Sequence, residues 1–157
     1  MFNLSYANFA NAYRRHAALD KDALFASLGW SSLDSSSGHV RNGAVLTSLA
    51  LLSAKVPLNG ALPILEGPLA GGKVLSGANR LAEWLGHHFA EPEILALEHG
   101  MGELIDRLFG RRGILAFIQG SGPQGGSIAL LDRSNAGPLC AAAESKHPLE
   151  ARFWALQ

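Results

Sequence analysis

The residues best suited by type and spacing to do chemistry lie between Ser35 and Ser53. Ser35, Ser36, Ser37 and His39 stand in a Gly/Ser-rich loop that ends at Asn42-Gly43, and an apolar run from Ala44 to Ser53 follows. The run predicts a helix from Ala44 to about Ala54. Gly43 leaves its start uncrowded, and Asn42 or Ser37 can cap its exposed N–H groups. The positive end of a helix dipole favours a thiolate, so an activated cysteine suits such a position. Here the position holds alanine, and a methyl group cannot attack a carbonyl. The helix start still offers N–H donors to a carboxylate or carbonyl. A replacement nucleophile would come from Ser35, Ser36, Ser37, Ser48 or Ser127, with His39 five residues before Ala44. A Ser–His pair needs hydrogen-bond geometry, and serines in such a loop more often serve turns.

Other reactive residue types carry weaker signals. His87 and His88, with Glu98 and His99, suggest a metal, but adjacent helical residues point about 100° apart and rarely share an ion. A solvated helix end explains His87 and His88 better, because imidazolium is favoured there. His16 and His147 have no partner pattern. The glycines of Gly120–Gly126 are followed by a strand and lack a Lys-Ser/Thr pair, so they read as a hairpin tip rather than a phosphate loop. Trp84 and Trp154 read as core; Trp30, in the loop before the central helix, is the tryptophan best suited to line a groove, although core is the better expectation for it too. Arg14 and Arg15 read as a solvated helix face. Cys140 sits in Pro138-Leu-Cys-Ala-Ala142, read as an apolar strand, where a lone cysteine is expected to be buried and inert.

The elements that would hold these residues read as helices first and sheet last. The 157 residues are 48% hydrophobic, enough for one domain with a core. With 13 basic and 13 acidic residues, formal net charge is zero, which argues against a nucleic-acid or anionic-membrane surface. No apolar run is long enough to insert in a membrane, and the N-terminus lacks the regions of a signal peptide. One cysteine excludes an internal disulfide and a cysteine metal cluster. Helical spacing predicts two segments over 5–28, divided near Leu19-Asp20-Lys21, and further helices over Asn79–Phe89 and Met101–Phe109. Prolines and glycines between Val56 and Lys73 predict irregular chain. Strands are expected at Glu93–Leu97, Gly113–Ile118, Ser127–Asp132, Leu139–Ala142 and Ala151–Leu156, with 113–118 buried on both faces. The class is α+β.

The order of loop, apolar helix and late hairpin resembles papain-like cysteine hydrolases, whose nucleophile starts a helix and whose base lies on a facing strand. More narrowly, residues 5–156 resemble the fourth group of the type VI secretion amidase effectors. These are NlpC-like peptidoglycan amidases that cut the peptide stem after D-glutamate. Where they read roughly N-x-C-A-x-R-x-S-x-A-L, this chain reads Asn42-Gly-Ala-Val-Leu-Thr-Ser-Leu-Ala-Leu51. Their G-(K/R)-x-G-I-I-x-F is matched by Gly110-Arg-Arg-Gly-Ile-Leu-Ala-Phe117. Gly126-Ser-Ile-Ala-Leu-Leu-Asp132 stands for G-H-I-x-L-W-D, and Arg152-Phe-Trp-Ala-Leu156 is similar to the closing F-W-E-L. The family's cysteine falls at Ala44, its histidine at Ser127 and its helix arginine at Thr47. The family's second cysteine near Cys140 is missing.

The resemblance therefore implies a papain-like fold without the activity, a pseudoenzyme that works by binding. The expected binding positions are Asn42, Gly43, Ala44, Gly126, Ser127, Asp132 and Trp30, with Ala44, Ser127 and Thr47 as vestigial catalytic positions. Expected partners are a peptidoglycan peptide or an immunity or secretion protein, with no cofactor, metal, nucleic acid or membrane. The expected route is synthesis in the cytoplasm and export by type VI secretion to a target periplasm. The alternative is an active peptidoglycan hydrolase with a relocated serine.

Overall fold

A computed structural model of the chain describes residues 3–30, 43–120, 122 and 125–157. The chain opens with α1 (Tyr6–Ala17) and α2 (Lys21–Ser27). Ser5 starts α1 by accepting from the Asn8 amide at 3.2 Å, and the break at Leu19-Asp20 has a local cause, since Asp20 caps α2 by accepting from the Ala23 amide at 2.8 Å. The central helix α3 (Ala44–Ser53) is buried nearly all round, as its polar-poor sequence requires. The 56–73 stretch is irregular except for β1 (Leu62–Pro63), which makes a two-residue antiparallel pairing with β2 (Lys73–Val74) at its end. Then come α4 (Ala78–His88), β3 (Glu93–Leu95) and α5 (Met101–Leu108). The C-terminal part supplies β4 (Arg112–Ile118), β5 (Ser127–Asp132), α6 (Ala136–Glu144) and β6 (Glu150–Ala155).

The main sheet has the order β3-β6-β4-β5, with every neighbouring pair antiparallel. Side-chain alternation assigns its two faces. Ile114, Ala116, Ile128 and Leu130 pack with α1, α3 and α4, while Leu115, Phe117 and Leu131 pack with α5 and α6. Both faces are covered, so β4 is apolar from Gly113 to Ile118. A third apolar cluster joins Phe25 and Trp30 to Val45, Leu49 and Ile64. Thin β3 is tied down by Arg111, whose guanidinium pairs with Glu93 at 2.7 Å and lies 4.5 Å from the Phe153 ring centre.

Two expectations about elements are corrected. Leu139–Ala142 is helical, inside α6, and is not a strand. A four-residue apolar run cannot distinguish the two states. The wider spacing decides it: Ala136, Cys140 and Ala143 form a buried stripe one side of a helix would make, and Pro138 lies in the first turn, where its missing N–H costs nothing. Cys140 accordingly belongs to a helix. Trp84, expected in the core, is only partly buried and stacks on the His88 ring at 4.7 Å.

Candidate functional site

The start of α3 is built by close approach to β5. Gly43 has φ +78°, and a Cβ on it would collide with the Ile128 carbonyl, so glycine alone fits there. Beside it, the Tyr13 hydroxyl hydrogen-bonds the Leu130 backbone; burial pushes this hydroxyl's pKa up, and that bond opposes the shift. Gly43 and Tyr13 thus close the outer edge of β5. Where β5 begins, Ser127 and Gly43 line one cleft of about 290 Å³. Leu46, Leu115, Phe117 and Leu139 form much of its wall, and exposed Lys146, just past α6, lies at its mouth.

Ser127 and Ala44 do not face one another across open space. Ile128 is the residue that packs with α3, and Ser127 alternates toward the α6 side. Ala44 is wholly buried in the core and does not line the cleft. Ala44, expected as a binding and vestigial catalytic position, is thus enclosed where the helix begins against the sheet. Thr47 is also fully buried, and its hydroxyl has no partner among the described residues. Ser48, equally buried, uses its hydroxyl to bridge Leu75, donating to the carbonyl at 3.0 Å and accepting from the amide at 3.2 Å. That role is structural.

The other expected positions are dispersed. Trp30 is 2% exposed, set edge-on to Phe25 with its Nε1 donating to the Pro63 carbonyl at 2.8 Å, so it is core and not groove. Asp132 stabilises the turn into α6, its carboxylate accepting from the Ser134 amide at 3.0 Å and hydroxyl at 2.9 Å. Gly126 (φ +83°) packs against Asn79 and the Phe117 carbonyl. Asn42, Ser35, Ser36, Ser37 and His39 lie outside the described residues. Cys140 is buried, its thiol pushed up to about 11, far from a reactive thiolate. His99 approaches Glu98 and Glu103 at 3.7 and 3.9 Å in the open, and no cluster of three metal-ligating side chains occurs among the described residues.

Sequence reasoning missed a cluster of side-chain amides at the end of β4, where Asn79 and Gln119 line a separate hollow. The Asn79 side-chain amide donates to the carbonyls of Gln119 (2.6 Å) and Gly122 (2.8 Å), and its oxygen accepts from the Gln119 amide. Gln119 in turn accepts from the Gly126 amide at 3.1 Å and donates to the Lys146 carbonyl at 2.5 Å. Helix α4, the β4–β5 connection and the segment after α6 are thereby joined. Asn79 and Gln119 are 40 residues apart, so no local pattern in the sequence signals the pairing.

No family model matches the chain, and no curated relative does. Solved structures do. A chain from the effector–immunity system Tae4/Tai4 of Salmonella typhimurium, in its selenomethionine variant, superposes with a TM-score of 0.68 at 17% identity, over 99% of this chain and 100% of that one. The fold matches that of Tae4. A chain of the type VI effector–immunity complex Tae4-Tai4 from Enterobacter cloacae gives 0.68 at 12% identity, and one from the Salmonella Typhimurium complex 0.65 at 15%, each over 99% of this chain and 100% of the other. Helices and antiparallel sheet thus follow the Tae4 arrangement from end to end.

Chemically, the cleft offers two hydroxyls, Tyr13 and Ser127, one ammonium, Lys146, and a hydrocarbon bed. The described residues that line it include no cysteine, and no histidine or carboxylate to pair with a hydroxyl as acid and base.

Proposed function

We propose that this protein is a catalytically inactive member of the type VI amidase effectors, one that acts by binding in interbacterial competition. The observation that carries the reading is the enclosed methyl of Ala44 at the start of α3, where a papain-like amidase needs a reachable thiolate. Ser127, where the resembled motif has its histidine, gives a hydroxyl that cannot serve as a general base near neutral pH. Buried Thr47 replaces the motif's arginine. The Tae4 likeness supports the setting: those structures are effector–immunity complexes, so an immunity protein is a fitting partner, with a peptidoglycan peptide as the other ligand in view. Export by a type VI apparatus to a target periplasm follows from the same likeness. No helix among the described residues is long and apolar enough to cross a membrane.

The rival reading, a hydrolase using Ser127, has one observation in its favour: Lys146 lines the same cleft. Lysines that act as bases are buried, and Lys146 is exposed. Digestion of purified peptidoglycan, read by mass spectrometry, separates the two. The unmodified protein is expected to release no muropeptides; release would overturn the inactive reading. An Ala44→Cys, Ser127→His variant run alongside tests descent, since cleavage gained there would locate the ancestral site.

A further inference from the structure

The cleft beside α3 is chemically lopsided. Its bed is hydrocarbon from Leu115, Phe117, Leu139 and Ala143, and Lys146 is the one charged residue among the described residues that line it. No carboxylate within salt-bridge reach neutralises that ammonium among the described residues. Its backbone is held by Gln119, itself gripped by Asn79 and bonded to Gly126, so the cation's root is set before any ligand arrives. At about 290 Å³ the space lies at the small end of ligand sites. A multiply charged peptide stem would leave most of its polar groups against hydrocarbon here, at a desolvation cost. A ligand with one carboxylate and an alkyl body matches both halves.

We propose that this cleft binds a small aliphatic carboxylate. The alkyl body lies on Leu115, Phe117 and Leu139, and the carboxylate meets the Lys146 ammonium and the Ser127 hydroxyl. The inference rests on reading the cleft as a binding site rather than a reaction centre. The same chemistry is presented by a free fatty acid and by the carboxy-terminus of a peptide ending in an aliphatic residue.

The test is calorimetric titration of the full chain with butanoate, hexanoate, octanoate and octan-1-ol, and with Ala-Ala-Leu as free acid and as amide. Each methylene that fits should tighten binding about fourfold. Lys146→Met should weaken octanoate about tenfold and leave octan-1-ol unchanged. Ala142→Trp, at an exposed position on the cleft wall, should abolish both while leaving the melting curve intact. Tighter binding of octanoate than of the peptide acid identifies the free acid as the source; the reverse, with the amide silent, identifies a chain terminus. Absence of binding by every probe at millimolar concentration, or octanoate binding insensitive to Lys146→Met, overturns the proposal. Muropeptide release with intact octanoate binding sinks the inactive-enzyme reading alone, and flat titrations without release sink this one alone.

Discussion

Thr47 and Ser48 are neighbours on α3, both fully buried, and differ in whether their hydroxyls are used. That contrast yields opposite signs for two similar substitutions. Thr47→Val keeps shape and β-branching and removes a hydroxyl without a partner among the described residues. A buried unpaired hydroxyl costs about 1–3 kcal/mol on protein mutational scales, so the variant should gain on the order of 1 kcal/mol. Ser48→Ala strips both hydrogen bonds from Leu75 and leaves a buried amide and carbonyl unmet. Its expected loss is about 1–3 kcal/mol. For a chain of this size each kcal/mol moves Tm by about 2–4 °C. Urea unfolding followed by circular dichroism would check both, with equal m-values showing that only stability has changed. A loss of more than about 1 kcal/mol in Thr47→Val would refute the reasoning, because it would mean that the hydroxyl is satisfied in solution, for example by a buried water.

Gly43→Ala should be among the most damaging single changes: the left-handed backbone alone costs an L-residue about 1–2 kcal/mol, and the new methyl meets the Ile128 carbonyl. Thermal unfolding would show it, and an unchanged Tm would mean that α3 does not start against β5. Cys140, with its thiol near 11, should resist a disulfide exchange reagent at pH 8 in the native state and react promptly in denaturant; fast native labelling would contradict its burial. The Arg111 hydrogen bond holds Glu93 below its usual value of 4.5, so the stability it gives is present above that pH and fades as pH falls through the lowered value. Glu93→Gln should flatten the pH dependence of stability in that acid window and little elsewhere; unchanged acid sensitivity would count against the pair.

The fold was legible where one physical requirement dominated. Gly113–Ile118 is apolar at consecutive positions because helices cover both faces of β4, and α3 is polar-poor because it is surrounded. Leu139–Ala142 misled because a short apolar run satisfies either period, and only the longer Ala136–Cys140–Ala143 stripe separates them. Trp30 is held in the core by neighbours near and far: Phe25 is five residues away, but Val45, Leu49 and the Pro63 carbonyl that accepts its N–H, 33 residues on, are encoded by no local pattern. At the site, Gly43 and Ser127 were readable from motif positions. Tyr13 and Lys146 come to the same cleft from elements distant in sequence, and the side-chain hydrogen bond from Asn79 to the end of β4 spans 40 residues.

The closure of β5 by Gly43 and Tyr13 also bears on how this protein behaves in a crowd. A sheet grows by recruiting strands at its margins, and margins are where soluble proteins turn into aggregates. One margin here is occupied by the protein's own backbone and a tyrosine hydroxyl. The other, β3, is three residues long and follows Pro92 directly. Both margins of the main sheet are thus short or partly covered among the described residues, which leaves a chain that is 48% hydrophobic less template there for self-propagating ladders.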